Sequence, residues 1–243
     1  MNAVTLVTGA SRGIGAATAL RLARAGHAVA VNYARDAAAA ASVVEAIRGE
    51  GGDAVALQAD VADEAEVLRL FEAIDRRWGH LTGLVNNAGV VDAATRVEAV
   101  TLARLQRLFA VNVFGSFLCA REALKRMGAG GAIVNVSSVA ARLGSPGEYV
   151  DYASAKAAID TFTRGLALEV AARGIRVNAV RPGIVETEIH ASGGQPDRVA
   201  RLGPQVPMQR AGTADEIAAA IAWLLSDEAS YCSGAILDVS GGR

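Results

Sequence analysis

Cysteine is almost missing from this 243-residue chain: Cys119 and Cys232 stand alone, far apart and without the spacing of a metal clip. That excludes a disulfide framework and fits a reducing cytosol. Histidine is nearly as scarce, and His27, His80 and His190 lie too far apart in sequence for a metal cluster, so no metal site is predicted. Aromatic residues make up only 5%. With alanine abundant, that composition suits close packing of helices on a sheet. Neither sign of charge dominates, with 24 Lys and Arg against 25 Asp and Glu, so nothing marks a nucleic-acid or acidic-membrane partner. No apolar run approaches the roughly 20 residues of a membrane span. The stretch "MNAVTLVTGAS" enters a strand-like run at once, leaving no room for a charged segment, apolar core and cleavage site. Nor is there a linker rich in Pro, Gly or Ser, or an internal repeat. The chain is therefore expected to form one domain over 1–243, localised to the cytoplasm.

What the sequence does have is alternation. Short apolar runs at 3–8, 28–33, 53–59, 83–86, 132–137, 175–180 and 235–239 read as strands covered on both faces. Helical patterns fall between them, near 13–25, 36–50, 63–78, 101–127, 151–172 and 213–225. Two carry start signals: Thr213-Ala-Asp-Glu216 is a capping box, and Asp63-Glu-Ala-Glu66 puts acid in a first turn. Strand alternating with helix means parallel βαβ units with right-handed crossovers. The predicted class is α/β, a Rossmann-type doubly wound domain with a seven-stranded parallel sheet and helices on both faces. The one long stretch without periodicity, 184–210, reads as a substrate flap.

The first strand runs into "TGASRGIG" and a helix follows directly. Gly9, Gly13 and Gly15 allow a sharp turn and close approach to a diphosphate, at which the helix N-terminus points its free N–H groups. An acid ending the second strand would grip the adenosine ribose and repel a 2′-phosphate. Here "VNYARD" puts Asn32 at that position, with Arg12 in the turn and Arg35 just past the strand. Two guanidinium groups flanking a missing acid suit a phosphate, so NADP(H) is expected over NAD(H).

The third feature is "EYVDYASAK". A free tyrosine has a pKa near 10 and is a poor base at neutral pH, whereas an ammonium within about 4–6 Å favours the phenolate. On a helix the two groups share a face at separations of three or four. Tyr152 and Lys156 are four apart. Tyr149 is seven from Lys156, but Pro146-Gly147 leaves it in the approach loop, where it reads as a wall of the substrate pocket. At the end of the fifth strand, alternation lets only one of Ser137 and Ser138 face a substrate.

The glycine spacing Gly-x-x-x-Gly-x-Gly, "NNAG" at 86–89 and Tyr-x-x-x-Lys at 152–156 together resemble the short-chain dehydrogenase/reductase family. The likeness is to its compact branch, which contains 3-oxoacyl-carrier-protein reductases and sugar 1-dehydrogenases, and it runs from Thr5 to the closing "LDVSGG". The resemblance implies Tyr152 as acid/base, with Lys156 lowering its pKa and holding the nicotinamide ribose. It favours Ser138 as the oxyanion donor, with Ser145 as a lesser candidate. It makes Asn112 the residue that kinks a central helix and positions a water leading to Lys156.

For the cofactor, the resemblance implies Gly9, Ser11, Arg12, Gly13, Ile14 and Gly15 in the phosphate turn, and Asp60 and Val61 at the adenine. Asn87, Ala88 and Gly89 would line the groove. Pro182, Gly183, Val185 and Thr187 would lie by the nicotinamide, and Glu186, Glu188 and His190 could touch substrate from the flap. The segment between Ser138 and Tyr152 is one residue longer than the family spacing, which points to an individual pocket rim in 139–151. The resemblance further implies a homotetramer built on the helices near 101–127 and 151–172.

The resulting expectation is an NADP(H)-preferring oxidoreductase interconverting a small-molecule carbonyl and a secondary alcohol. The alternatives are a silent NADP(H)-binding sensor or a sugar 1-dehydrogenase using NAD. A nucleotide-sugar epimerase or dehydratase is disfavoured, because the chain after Gly183 is short and the glycine spacing differs. Specificity is expected to lie in 92–97, 139–151 and 184–206.

Overall fold

The computed structural model describes residues 3–243 apart from the side chain of His190, whose expected substrate contact lies outside the described residues. Seven strands form one sheet in the order β3-β2-β1-β4-β5-β6-β7. They are β1 Val4–Val7, β2 Ala28–Tyr33, β3 Ala54–Gln58, β4 Gly83–Asn86, β5 Ala132–Val136, β6 Arg176–Pro182 and β7 Ile236–Val239. Every pairing is parallel. The predicted fold class is therefore the observed one.

The continuous apolar runs arise because consecutive strand residues serve opposite cores. Leu6, Ala30, Leu84 and Ile133 pack with Phe71, Ile74, Cys119 and Leu166. Their strand neighbours Val7, Val31, Val85 and Val134 pack with Leu22, Ile47, Ile217 and Ile221 on the other face. The first core is closed by α3 (Glu64–Trp78), α5 (Gly115–Leu124) and α7 (Val150–Val170). The second is closed by α1 (Gly13–Arg24), α2 (Ala37–Gly49) and α10 (Ala214–Leu225). No helix among the described residues is long and apolar enough to cross a membrane.

Two stretches differ from expectation. The helix expected over 101–127 is three segments end to end: α4 (Leu102–Phe109), a π-bulge (Ala110–Phe114) and α5. The segment 184–210, expected to lack regular structure, contains α8 (Ile189–Ser192), α9 (Arg198–Leu202) and a 3₁₀ turn at Gly203–Gln205. Helices of four and five residues are too short to show a 3.6-residue period. A further short helix, α6 (Ala140–Leu143), sits in the rim segment after β5.

The capping box is present in full: Glu216 N donates to Thr213 Oγ1 at 3.2 Å, and Thr213 N donates to the Glu216 carboxylate at 2.8 Å. Thr213→Ala should cost about 1 kcal/mol. Read by calorimetry, that is a fall in Tm of roughly 2–4 °C for a chain this size.

Candidate active site

The order of the sheet reverses direction between β1 and β4. In open parallel sheets the crevice at such a switch point, beyond the strands' C-terminal ends, is where ligands bind. A cleft with about 960 Å³ of empty space opens there, and its lining includes Asn87, Gly89, Ser138, Tyr152, Lys156 and Val185.

The phosphate turn forms one wall. Gly9 has φ +60°, and a Cβ on it would lie 2.9 Å from Ala88 Cα. A Cβ on Gly15 would come within 2.5 Å of both the Gly9 carbonyl and Asn87 Nδ2. Only glycine permits this closeness. Thr8, unremarked in the sequence reading, latches the turn to the segment after β4. Its hydroxyl accepts from Asn87 N and Ala88 N, each at 3.0 Å, and Asn87 Nδ2 returns a bond to the Thr8 carbonyl at 2.8 Å. The first turn of α1 has no side-chain cap and no acidic residue, leaving its N–H groups free for an anion. Thr187 faces Gly13 across the cleft: a Cβ at position 13 would lie 3.4 Å from its methyl group. Uncapped donors and a cradle that admits no Cβ fit a dinucleotide diphosphate.

Asn32 is put to a different use from the one its position suggested. It is fully buried. Its Oδ1 accepts from Gly9 N at 3.1 Å, and its Nδ2 donates to the Ala59 carbonyl at 3.0 Å. It braces the glycine turn against the end of β3, so both ends of its amide are already engaged within the fold. Asp36 caps α2 through Ala39 N at 2.9 Å. Arg12 and Arg35 are exposed, with no carboxylate partner among the described residues. Asp60 lines a shallow hollow with Arg35, Gln58 and Arg69. Val61 is buried against Gly115, so only its backbone can meet a ligand.

The opposite wall carries Ser137, Ser138, Tyr152 and Lys156. Ser137 turns inward and donates to the Lys156 carbonyl at 3.1 Å. Ser138 lines the cleft together with Tyr152, and its hydroxyl accepts from Ala140 N at 3.1 Å. Lys156 is buried beside the tyrosine, Nζ 5.7 Å from the ring centroid, and donates to the Val136 carbonyl at 2.8 Å.

Burial pushes the Tyr152 phenol up to about 12, with the neighbouring Ser138 opposing it, and pushes the Lys156 amine down to about 8. The expected lowering of the phenol by the amine is therefore not what this structure gives. Desolvation outweighs it, because Nζ is directed at a backbone carbonyl while both groups are withdrawn from water.

Asn112 lies in the π-bulge, where its Nδ2 donates to the Val90 and Leu108 carbonyls, each at 2.9 Å. Its Oδ1 accepts from Val90 N at 3.2 Å. The side chain thus ties the bulge to the segment after "NNAG". A Cβ on Gly89 would stand 2.9 Å from that Oδ1 and 3.4 Å from Lys156 Nζ.

Tyr149 precedes α7, and its hydroxyl accepts from Gln195 Nε2 of the flap at 2.9 Å. Arg198 sits 5.1 Å above its ring and pairs with Glu148 at 2.8 Å. Pro182, Gly183, Val185, Thr187, Ile14 and Ser145 also face the cleft, whereas Glu186 and Glu188 are exposed.

A glycine turn at the switch point facing a serine, tyrosine and lysine defines a Rossmann-type oxidoreductase that uses a dinucleotide. Comparison with known proteins agrees. A family model described as Enoyl-(Acyl carrier protein) reductase matches residues 9–243. The oxidoreductase YgfF of Escherichia coli K12 is 58% identical, over 99% of this chain and 100% of its own length. A 3-oxoacyl-[acyl-carrier-protein] reductase of Synechocystis is 40% identical, over 98% of this chain and 96% of its own. A short-chain dehydrogenase of Burkholderia cenocepacia J2315, solved in complex with NADP, superposes with a TM-score of 0.91. It shares 37% identity over 98% of this chain and 96% of its own. The chain belongs to the short-chain dehydrogenase/reductase family, and is an NAD(P)-dependent oxidoreductase acting between CH–OH and C=O.

Proposed function

We propose that this enzyme reduces a small-molecule ketone or aldehyde with NADPH, and oxidises the corresponding alcohol in reverse, as one domain over 1–243 with 184–210 as its flap. The observation that carries the reading is the convergence of Ser138, Tyr152 and Lys156 on one cleft, opposite an uncapped helix N-terminus. A bound nicotinamide supplies the hydride donor or acceptor. The Ser138 hydroxyl hydrogen-bonds the substrate oxygen as charge grows there. Tyr152 donates its phenolic proton to that oxygen in reduction and takes it back in oxidation. Lys156 holds positive charge beside the phenol and hydrogen-bonds the ribose, and the Asn112 bulge fixes the segment against which its amine rests. Gly9, Ser11, Gly13 and Gly15 receive the diphosphate.

The preference for NADP(H) rests on Arg12 and Arg35, which have no acid to neutralise them. A charged hydrogen bond contributes about 1.5–3 kcal/mol. Arg12→Ala should therefore raise KM for NADPH tenfold or more and leave KM for NADH nearly unchanged. Equal penalties on the two cofactors would refute the assignment. A panel of ketones, aldehydes and polyols with both cofactors, followed at 340 nm, tests the activity itself; silence across the panel would favour the cofactor-binding sensor.

A homotetramer in the cytoplasm is part of the same reading. Phe114 and Phe117 on the helix after β4, and Leu168 on α7, leave apolar side chains on the outer faces of those two helices, Leu168 at 83% exposure. Light scattering should give about four times the 24.9 kDa chain mass.

A further inference from the structure

Asp160 lies one helical turn beyond Lys156 on α7, and its side chain is almost wholly buried. Arg181, the β6 residue just before Pro182-Gly183, donates to Asp160 Oδ2 from Nε at 3.0 Å and from Nη2 at 2.7 Å. Arg181 also reaches Asp238 on β7 at 3.3 Å, and Asp238 pairs in turn with Arg142 of the rim at 3.6 Å. The second oxygen of Asp160 is buried with no hydrogen-bond partner among the described residues. A carboxylate withdrawn from water with a free oxygen keeps a strong field over short distances. Helix spacing puts Asp160 and Lys156, four residues apart, on the same face of α7.

We propose that Asp160 is a positioning residue for Lys156: its carboxylate, clamped by Arg181, keeps the lysine an ammonium ion inside a cleft that would otherwise strip its charge. The clamp also joins the two halves of the site, since α7 bears Tyr152 and Lys156 while β6 leads into Pro182, Val185 and Thr187. The direction of the electrostatic effect agrees. Burial is what pushes the Lys156 amine down to about 8, and Asp160 opposes it.

The other groups around the lysine do not replace Asp160. Tyr152 is its ionisable neighbour on the same helix, and Asn112 and the Val136 carbonyl are uncharged. Arg198 and Arg243 line the same cleft but carry positive charge, and Asp151 on α7 is taken up by Arg104. The role given to the lysine rests on the proposed function, but the test below needs neither cofactor nor substrate, so the two can fail separately.

The chain contains two lysines, Lys125 and Lys156. Labelling with 13C-lysine therefore gives two ε-carbon signals, and Lys125→Arg assigns them. Titrated by NMR, Lys156 should show its midpoint near 8 in the parent. Asp160→Asn should move it down by roughly half a pH unit or more. If Asp160→Asn leaves Arg181 too poorly accommodated for the protein to fold, Asp160→Asn/Arg181→Met removes both charges, and the midpoint should still fall. Loss of packing alone would not produce that shift in a folded protein. A Lys156 midpoint unmoved in the folded variant would overturn the proposal, as would an upward shift.

Discussion

Tyr152→Phe should lower kcat for carbonyl reduction on the order of 10²–10⁴-fold, while Kd for NADPH changes less than about threefold and Tm moves little. The substitution removes one oxygen, from a ring that lines the cleft with Ser138. It leaves the ring packed against Ala155, Leu108 and Val113. Calorimetric titration with NADPH and a stopped-flow or steady-state assay at 340 nm separate binding from chemistry. A variant keeping more than a tenth of parent kcat would remove Tyr152 as the proton donor.

The same site fixes the sign of the pH dependence. On the proposed roles the phenol must arrive protonated in reduction, and burial pushes it up to about 12, so it is protonated throughout the working range. The lysine instead loses its proton as pH rises through about 8. Reduction kcat/KM should therefore be flat on the acid side and decline above that pH as the ammonium is lost. Oxidation requires the phenolate and should gain with pH. A reduction profile that climbs through pH 8 would contradict these roles.

Local rules carried the sequence reading far, and distance in the chain marks where they stopped. Strand runs, helix starts and the four-residue step from Tyr152 to Lys156 are each set by residues within a turn or two, so spacing exposes them. Just past β5 the two serines have different partners: the Ser137 hydroxyl donates to the Lys156 carbonyl, and the Ser138 hydroxyl accepts from Ala140 N. The bracing role of Asn32 is not legible locally, because its partners, Gly9 and Ala59, are more than 20 residues away on either side and claim both ends of its amide. The pairing of Asp160 with Arg181, 21 residues apart, is likewise invisible to local spacing. The acidity of Tyr152 went astray for a different reason. The sign depends on whether charge proximity or desolvation wins, and burial cannot be gauged from a four-residue spacing.

Arg104→Met should be the most damaging change to stability on the catalytic face, and it too lay beyond local reasoning. Arg104 on α4 donates from Nε to Asp151 Oδ2 at 2.6 Å and from Nη1 to the Ala93 carbonyl at 2.6 Å. Both side chains are nearly buried, Asp151 at 3% exposure. The other carboxylate oxygen, Asp151 Oδ1, accepts from the backbone N–H of Tyr152 at 2.9 Å. Removing the cation strands a buried charge, which typically costs about 3–5 kcal/mol. Against total stabilities of about 5–15 kcal/mol, that predicts a drop in Tm on the order of 10 °C. The double variant Arg104→Met/Asp151→Leu, which leaves no charge unpaired, should recover much of the lost Tm. Its kcat should stay depressed, because the bond that seats Tyr152 N is gone. Were Arg104→Met to melt within about 2 °C of the parent, the pair would be solvated rather than structural, and α7 would need another anchor at the end that carries the reactive tyrosine.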